Sequence, residues 1–325
     1  MKISSWSAGL LAGALALAVF GQGARDQLAA ANAALQAGEA DKALALLQSA
    51  RVAGASPAEA DNLECRVHYM LEQWDAAVHN CEQAVSLDSQ NSNYHMWLGR
   101  SLGEKADRAS FLSAYSLAKR VRTDFEEAVR LNPRNAEALA NLGEFYREAP
   151  GVIGGGTAKA EGVAARLDKL EPARAHELRG RMAEERKDYD SAEKEYKQAL
   201  ASSAHPAIQW VTLANFYRQR GRLTEMESDL HSCVTAADRD KHAGVALFDG
   251  ASVLTRANRD PALAAKMLEN YLAGSSKTED APAFVAHLRL ARLDDELGNG
   301  AAAQRERAEA LALAHDFKPA QGSRH

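Results

Sequence analysis

Two stretches of the chain, KALALLQSA (residues 42–50) and AAVHNCEQA (residues 76–84), place alanines and apolar residues at corresponding positions. Ala43 in the first aligns with Ala77 in the second, 34 residues further on. Both stretches are rich in helix-forming residues. A 34-residue period of helical segments is typical of a helix-turn-helix repeat, in which each unit buries its apolar face only by stacking on its neighbours. The sequence therefore predicts an array of stacked helical hairpins.

The repeat extends outward from these stretches over most of the chain. Similar segments are EQWDAAVHNCEQAVSLD, YHMWLGRSL, FEEAVRLNPRNAEALANLGEFY, RKDYDSAEKEYKQAL and WVTLANFYRQRGRLTEME. They resemble tetratricopeptide repeats (TPR), and this resemblance implies an all-α solenoid of about eight helix-turn-helix units forming a right-handed superhelix. We place the starts of the units near Ala24, Ala58, Ser92, Ala136, Ala173, Ala207, Lys241 and Phe284.

Small residues mark the places where paired helices should touch, because only a small side chain lets two helices approach to about 8 Å. On first helices these are Gly99, Gly143, Gly180 and Ala214, and on second helices Ala77, Ala160 and Ala192. Prolines fall at the ends of units, where a helix must stop. These are Pro133, Pro172 and Pro206.

The composition agrees with an all-α chain and narrows the classes of partner. Among 325 residues only 6% are aromatic, and Ala, Leu, Glu, Arg and Lys dominate long stretches, which favours helix over sheet. The net charge of −5 gives no global positive field, which argues against nucleic acid as a partner.

The N-terminus has the pattern of a secretory signal peptide. One lysine precedes an apolar run from Ala8 to Phe20, and small residues follow it. A membrane span needs roughly 20 apolar residues, so this run favours cleavage over anchoring, with an uncleaved anchor helix as the alternative. We predict a cleaved signal peptide (residues 1–23), a TPR solenoid (residues 24–319) and a disordered tail (residues 320–325). The mature chain is then exported, periplasmic or secreted, without a membrane span.

The third and fourth units exceed 34 residues, with insertions near residues 103–117 and 149–157. We place both at the turn between the first and second helix of their unit. Such turns line one edge of a solenoid, so the insertions should be neighbours. Glycine amides before a helix can hold an anion, and a possible anion edge comprises Lys105, Arg108, Gly154, Gly155, Gly156, Thr157 and Lys159. The alternative is a plain turn with Thr157 as the N-cap residue; the P-loop spacing is absent.

The concave face, built from first helices, is the usual binding surface of this repeat class. Arg, Asn and Tyr side chains recur there and suit an anionic or carboxylate-bearing peptide. The predicted groove residues are Asn32, Arg66, Tyr69, Arg100, Glu144, Arg147, Arg181, Asn215 and Arg218. The alternative is a solvated face on which these arginines pair with neighbouring glutamates.

The repeat register makes Cys65 and Cys81 facing partners in one hairpin, because they occupy inward positions of its two helices. In an oxidising compartment they can form a disulfide, with two buried thiols as the alternative. Cys233 stands where alanine usually packs, which predicts a buried free thiol.

Enzyme signatures are absent from the sequence. AHELRGR begins like H-E-x-x-H but has Gly180 in place of the second histidine, and there is no G-x-S-x-G. We therefore predict no catalytic residue, no metal site and no cofactor. Residues Trp97 to His176 also resemble an uncharacterised family of exported bacterial TPR proteins, which implies fold and export. The predicted function is a non-catalytic scaffold that binds a protein or peptide in its groove; the alternative is a small-anion or solute-binding accessory protein. The sequence leaves the oligomeric state open.

Overall fold

The computed structural model describes the backbone of residues 7–321 and the side chains of residues 22–319. The predicted signal peptide and the predicted disordered tail therefore lie partly outside the described residues. Residues 7–23 form the first part of a long helix, and residues 320 and 321 belong to a short one. Among residues 22–319, whose side chains the structure describes, no helix has the length and apolar character to cross a bilayer.

Helices account for all regular structure in residues 7–321, and sixteen of them form eight consecutive antiparallel pairs. The pairs are α1 (Ser7–Gln36) with α2 (Ala40–Val52), α3 (Pro57–Met70) with α4 (Trp74–Leu87), α5 (Ser92–Asp107) with α6 (Phe111–Leu131), α7 (Ala136–Glu148) with α8 (Thr157–Leu167), α9 (Pro172–Glu185) with α10 (Tyr189–Ser202), α11 (Pro206–Gln219) with α12 (Leu223–Ala237), α13 (Gly244–Ala257) with α14 (Pro261–Ala273), and α15 (Ala283–Glu296) with α16 (Gly300–Leu313). A short helix, α17 (Lys318–Gln321), follows. The predicted all-α solenoid of about eight hairpins is confirmed.

Small residues lie between the paired helices, as the sequence predicted. A Cβ atom added to Gly99 would lie 2.5 Å from Cε1 of Phe125, and one added to Gly180 would lie 2.5 Å from Cε1 of Tyr196. Each ring therefore packs directly on the backbone of the partner helix. Larger side chains at these glycines would force the two helices of a unit apart.

The two insertions differ in structure. The extra residues near 103–117 lengthen α5 and α6 on both sides of a short turn at residues 108–110. The segment 149–157 does form the turn between α7 and α8, and it contains the 3₁₀ turn Gly151–Ile153. Nη1 of Arg122 on α6 donates to the carbonyl of Ile153 at 2.9 Å. Residues of both insertions, among them Glu104 and Pro150, line one cavity, so the two segments lie close together.

The solenoid curves with its first helices on the inner side. Contacts join α1 to α3, α3 to α5, α5 to α7, and α7 to α9, whereas no comparable contacts join the second helices of adjacent units among the described residues. Helices on the inside of a curve are closer together than those on the outside. The first helices therefore line the concave face.

The first and last units contact each other. Leu28 and Leu35 of α1 share one apolar cluster with Phe284 of α15 and with Phe317, which precedes α17. The backbone amide of His315 also donates to Oδ2 of Asp41, on α2, at 3.0 Å. The solenoid thus closes on itself, and its concave face surrounds a central space.

Candidate functional site

A segment of the chain itself lies in the concave groove. It connects α14 to α15 and comprises residues 274–282, GSSKTEDAP, which we call the strap. Arg66 of α3 donates from Nε to Oε2 of Glu279 at 3.0 Å and from Nη2 to Oε1 at 2.9 Å and Oε2 at 2.7 Å. This forked pair is largely buried, with 15% of the Arg66 side chain and 13% of the Glu279 side chain exposed. A predicted groove arginine therefore already holds a carboxylate.

The next groove arginine holds the next residue of the strap. Nη2 of Arg100, on α5, donates to Oδ1 of Asp280, and Nη1 donates to Oε1 of Glu137 at 3.1 Å. Arg100 and Arg66 are 34 residues apart and occupy equivalent positions in consecutive units. Two adjacent acidic residues of the strap thus meet two arginines supplied by the repeat.

An aromatic platform orients both arginines. The Arg100 guanidinium lies 4.2 Å from the ring centre of Trp97 and 5.2 Å from that of Tyr69. The guanidinium of Arg66 lies 5.2 Å from the Trp97 ring centre. Stacking on a ring holds a cation in place without removing its hydrogen-bond donors. From the sequence, Trp97 was interpreted only as part of a repeat and was not predicted to belong to the groove site.

Burial and charge act in opposite directions on the ionisable groups of this cluster. Burial raises the pKa of the Glu279 carboxyl, and the charge of Arg66 offsets only part of that effect. For Arg100, burial lowers the pKa, but the negative charge of Asp280 and other neighbours outweighs it and the pKa is raised. The charge of Arg66 therefore favours the ionised form of Glu279 against the effect of burial, whereas Arg100 is cationic throughout the physiological range.

A cavity of about 770 Å³ adjoins the strap and is bounded by α1, α3 and α5. Asn32, Asn62 and Glu279 are among its lining residues. Nδ2 of Asn62 and Oδ1 of Asn32 are buried and have no hydrogen-bond partner among the described residues. Asn62 is only 5% exposed. An unpaired amide donor and an unpaired amide acceptor match the groups that a peptide backbone offers.

Further along the concave face, arginines and glutamates pair with one another. Glu144 accepts from Nε of Arg147 at 2.8 Å and from Nη1 of Arg181 at 2.9 Å. Nε of Arg218 donates to Oδ1 of Asn215 at 3.1 Å. This part of the groove matches the alternative prediction, a solvated face on which the arginines pair with neighbouring glutamates. Their charges are largely balanced within the groove.

A second cavity of about 630 Å³ opens between α9 and α11. Its lining brings together the predicted residues Arg147, Arg181 and Asn215 with Asp249 of α13. Burial raises the pKa of Asp249 to about 6, although nearby Arg289 lowers it in part. The predicted groove therefore has one part in which two arginines pair with the strap and another in which arginines pair with glutamates of the helices themselves.

The glycine-rich turn uses several of its amides internally. The amide of Gly155 donates to the carbonyl of Pro150 at 3.3 Å, and the amide of Gly156 to that of Tyr146 at 2.7 Å. Nζ of Lys159 donates to the carbonyl of Gly154 at 2.7 Å. The N-cap residue of α8 is Gly156, so the interpretation of Thr157 as N-cap is wrong; Thr157 is the first helical residue.

Acidic residues surround the other members of the predicted anion edge. Lys105 pairs with Asp75 at 2.7 Å, and Arg108 pairs with Glu104 at 2.8 Å. A cavity of about 420 Å³ between the insertions is lined by the acidic residues Glu104, Asp107, Glu144 and Glu148. A free anion entering this space would meet four carboxylates and one guanidinium, that of Arg100. The geometry therefore supports the turn rather than an anion site.

We expect Gly155→Ala to lower the free energy of unfolding by about 2 kcal/mol, because the new Cβ would overlap the carbonyl oxygen of Ala149 and the backbone must shift. Gly162→Ala, in α8, is the matched control. Its new Cβ meets nothing within 4 Å, and alanine favours a helix by up to about 1 kcal/mol. Denaturant unfolding measures both variants. Equal stabilities for the two would contradict the tight turn.

The cysteines are arranged as the sequence predicted. Cys65 and Cys81 form a disulfide between α3 and α4, and Cys233 is free and buried. Burial raises the pKa of the Cys233 thiol to about 12, which leaves it unreactive in the folded protein. Residues 22–319 contain no group of three or more His, Cys, Asp or Glu side chains placed to hold a metal ion.

The eight consecutive hairpins and the small residues between paired helices define the chain as a TPR-type solenoid. Among solved structures it is similar to TTC0263, a thermophilic TPR protein of Thermus thermophilus, with 20% identity and a TM-score of 0.46 over 55% of this chain and 90% of that one. Two crystal structures of MamA are also similar, with 16% and 14% identity and TM-scores of 0.34 and 0.36, over 53% and 56% of this chain and 93% of each MamA chain. No protein-family model and no curated protein matches the chain.

Proposed function

We propose that this protein is an exported, non-catalytic scaffold that binds a protein or peptide segment along its concave face. The observation that carries the proposal is the pair of arginines, Arg66 and Arg100, stacked on Trp97 and bonded to carboxylates of an irregular chain segment. A groove that holds one chain segment by side-chain contacts has the chemistry to hold another.

The proposed mechanism is rigid presentation. Each unit fixes its first helix through glycine or alanine contacts with the second, so the groove side chains keep their spacing from unit to unit. A preformed site loses little conformational entropy when it binds. The partner then supplies the segment that becomes ordered.

Two features support export. The N-terminal pattern is typical of a signal peptide, and the Cys65–Cys81 bond is of the kind that persists in oxidising compartments. The proposal therefore places the partner in the periplasm or outside the cell. Envelope extract is the appropriate source for capturing it.

Two variants, each lacking one ion pair, test whether the partner binds in the groove. The inner variant Arg66→Gln/Glu279→Gln removes a groove cation without burying a lone carboxylate, and Glu127→Gln/Arg130→Gln removes a pair on α6. We expect the inner variant to retain about one tenth of the affinity that Glu279→Gln alone has for the captured partner, because both lack the strap carboxylate, only the inner variant lacks the guanidinium, and a hydrogen bond to a charged group contributes roughly 1.5 kcal/mol. The α6 variant should bind like wild type. Equal losses in both variants, or none in either, would exclude the groove as the binding surface.

A further inference from the structure

The strap is fixed at its two ends. Gly274 follows α14, Pro282 precedes α15, and the hydroxyl of Tyr271 donates to the carbonyl of Ala281. Between these points the amide of Ala281 donates to the carbonyl of Thr278 at 3.2 Å, closing a turn. The turn carries the two acidic side chains that enter the groove. A short turn with two consecutive carboxylates is therefore enough to engage both arginines.

The groove offers more contacts than the strap uses. Asn62 and Asn32 lie in the wall of the cavity beside Glu279, with one unpaired amide donor and one unpaired acceptor among the described residues. The adjoining space of about 770 Å³ can accommodate several residues of an extended peptide. Oγ1 of Thr278 in the strap is also buried without a partner in the described part of the chain. The strap thus fills the cationic positions and leaves polar positions of the same site unused.

We propose that the groove recognises an acidic segment of a partner protein with two consecutive carboxylates, and that the strap occupies this site until such a segment displaces it. The inference rests on the proposed function and specifies its ligand. The partner's carboxylates take the places of Glu279 and Asp280 at Arg66 and Arg100. The partner's backbone then runs through the cavity whose wall includes Asn32 and Asn62.

Displacement has a calculable effect on affinity. If the strap occupies the site in nine of ten molecules, it reduces the apparent affinity for a partner about tenfold, because only the open fraction can bind. A tethered competitor reaches such occupancy even when its intrinsic contacts are modest, since its effective concentration is in the millimolar range. Removing the carboxylates of the strap should therefore strengthen binding of an acidic peptide.

The test uses the full-length protein and a labelled, end-capped peptide with the strap's own sequence, GSSKTEDAP. The variant Glu279→Gln/Asp280→Asn should bind this peptide at least about tenfold more tightly than wild type. The control Lys277→Gln, which changes strap charge but keeps both acids, should bind it like wild type. The amide analogue GSSKTQNAP should bind the first variant at least about tenfold more weakly than the acidic peptide does.

A second variant tests the same inference if the first folds poorly. Inserting two glycines between Ser275 and Ser276 loosens the strap without changing any charge, and it should also strengthen peptide binding. Equal peptide affinities for wild type and both strap variants would overturn the inference. So would equal binding of the amide analogue, or equal displacement by inorganic phosphate at the peptide's concentration.

The outcomes distinguish this inference from the proposed function. If the inner ion-pair variant loses the envelope partner but the acidic peptide does not bind to the strap variants, the scaffold function stands and the acidic-segment inference fails. If the peptide binds as expected but partner capture does not depend on the groove, the scaffold function fails.

Discussion

Replacing Arg66 by glutamine is expected to lower the free energy of unfolding by about 3 kcal/mol at pH 7.5, the low end of the range for breaking a buried ion pair from one side. The variant leaves Glu279 without its forked guanidinium partner in a site where only 13% of the carboxylate side chain is exposed. The larger part of the cost is the desolvated charge left behind, because glutamine offers neither a counter-charge nor two parallel donors.

The loss should depend on pH in a defined direction. Burial already raises the pKa of Glu279 in the folded protein, and removing Arg66 raises it further, above the value of about 4.3 in an unfolded chain. Between those two values the folded state binds more protons than the unfolded state, so stability falls as the pH rises through this window. The gap between wild type and Arg66→Gln should therefore narrow as the pH is lowered from 7.5 to 5.

The double variant Arg66→Gln/Glu279→Gln is the control for this prediction. It removes both charges and should recover most of the loss, because no buried carboxylate remains. Denaturant unfolding at several pH values measures all three proteins. A loss below about 1 kcal/mol for Arg66→Gln would contradict the prediction and mean that Glu279 reaches water once its partner is gone.

The sequence predicted the hairpins because their determinants are local. Gly99 and Gly180 each mark a close contact between the two helices of their own unit, and the 34-residue spacing of Ala43 and Ala77 sets the length of a standard unit. The same register placed Arg66 and Arg100 at equivalent positions on the concave face. Contacts within a unit and between neighbouring units recur at equivalent positions along the chain. The repeat pattern of the sequence is therefore enough to predict them.

The occupant of the groove could not be predicted in this way. Arg66 and Glu279 are 213 residues apart, and their contact depends on closure of the solenoid, which sums small rotations over all units. The length of the repeat does not tell how far the whole solenoid curves, and so it does not predict which distant units meet. In the sequence, residues 274–282 are a polar stretch between the last two units, and the groove arginines were expected to bind an anionic peptide or to pair with neighbouring glutamates.

The glycine-rich turn shows a second kind of ambiguity. Glycines before a helix suit an anion site and a tight turn equally well, because both need backbone conformations without a Cβ. The two possibilities differ in what the glycine amides bind: an external anion in one case and carbonyl groups of the chain itself in the other. Those partners, such as the carbonyl of Tyr146 for Gly156, are visible only in the folded chain.

Loss of the Cys65–Cys81 disulfide is expected to lower the free energy of unfolding by about 3 kcal/mol. The two residues are separated by 16 positions, and closing a loop of about this length removes roughly that much chain entropy from the unfolded state. The bond ties α3 to α4 within the unit that carries Arg66, so the loss should be greatest there. Hydrogen exchange should show the earliest opening in residues 57–87.

Two comparisons isolate the disulfide. Reductant should destabilise the wild-type protein by about the same amount as Cys65→Ala/Cys81→Ala, and it should leave the double variant unchanged, because Cys233 has no disulfide to lose. Protein recovered from an exported fraction should alkylate only at Cys233 when it is denatured without reductant. Alkylation of all three cysteines under those conditions would contradict both the bond and the oxidising compartment, because a buried disulfide formed on export has no route to reduction before unfolding.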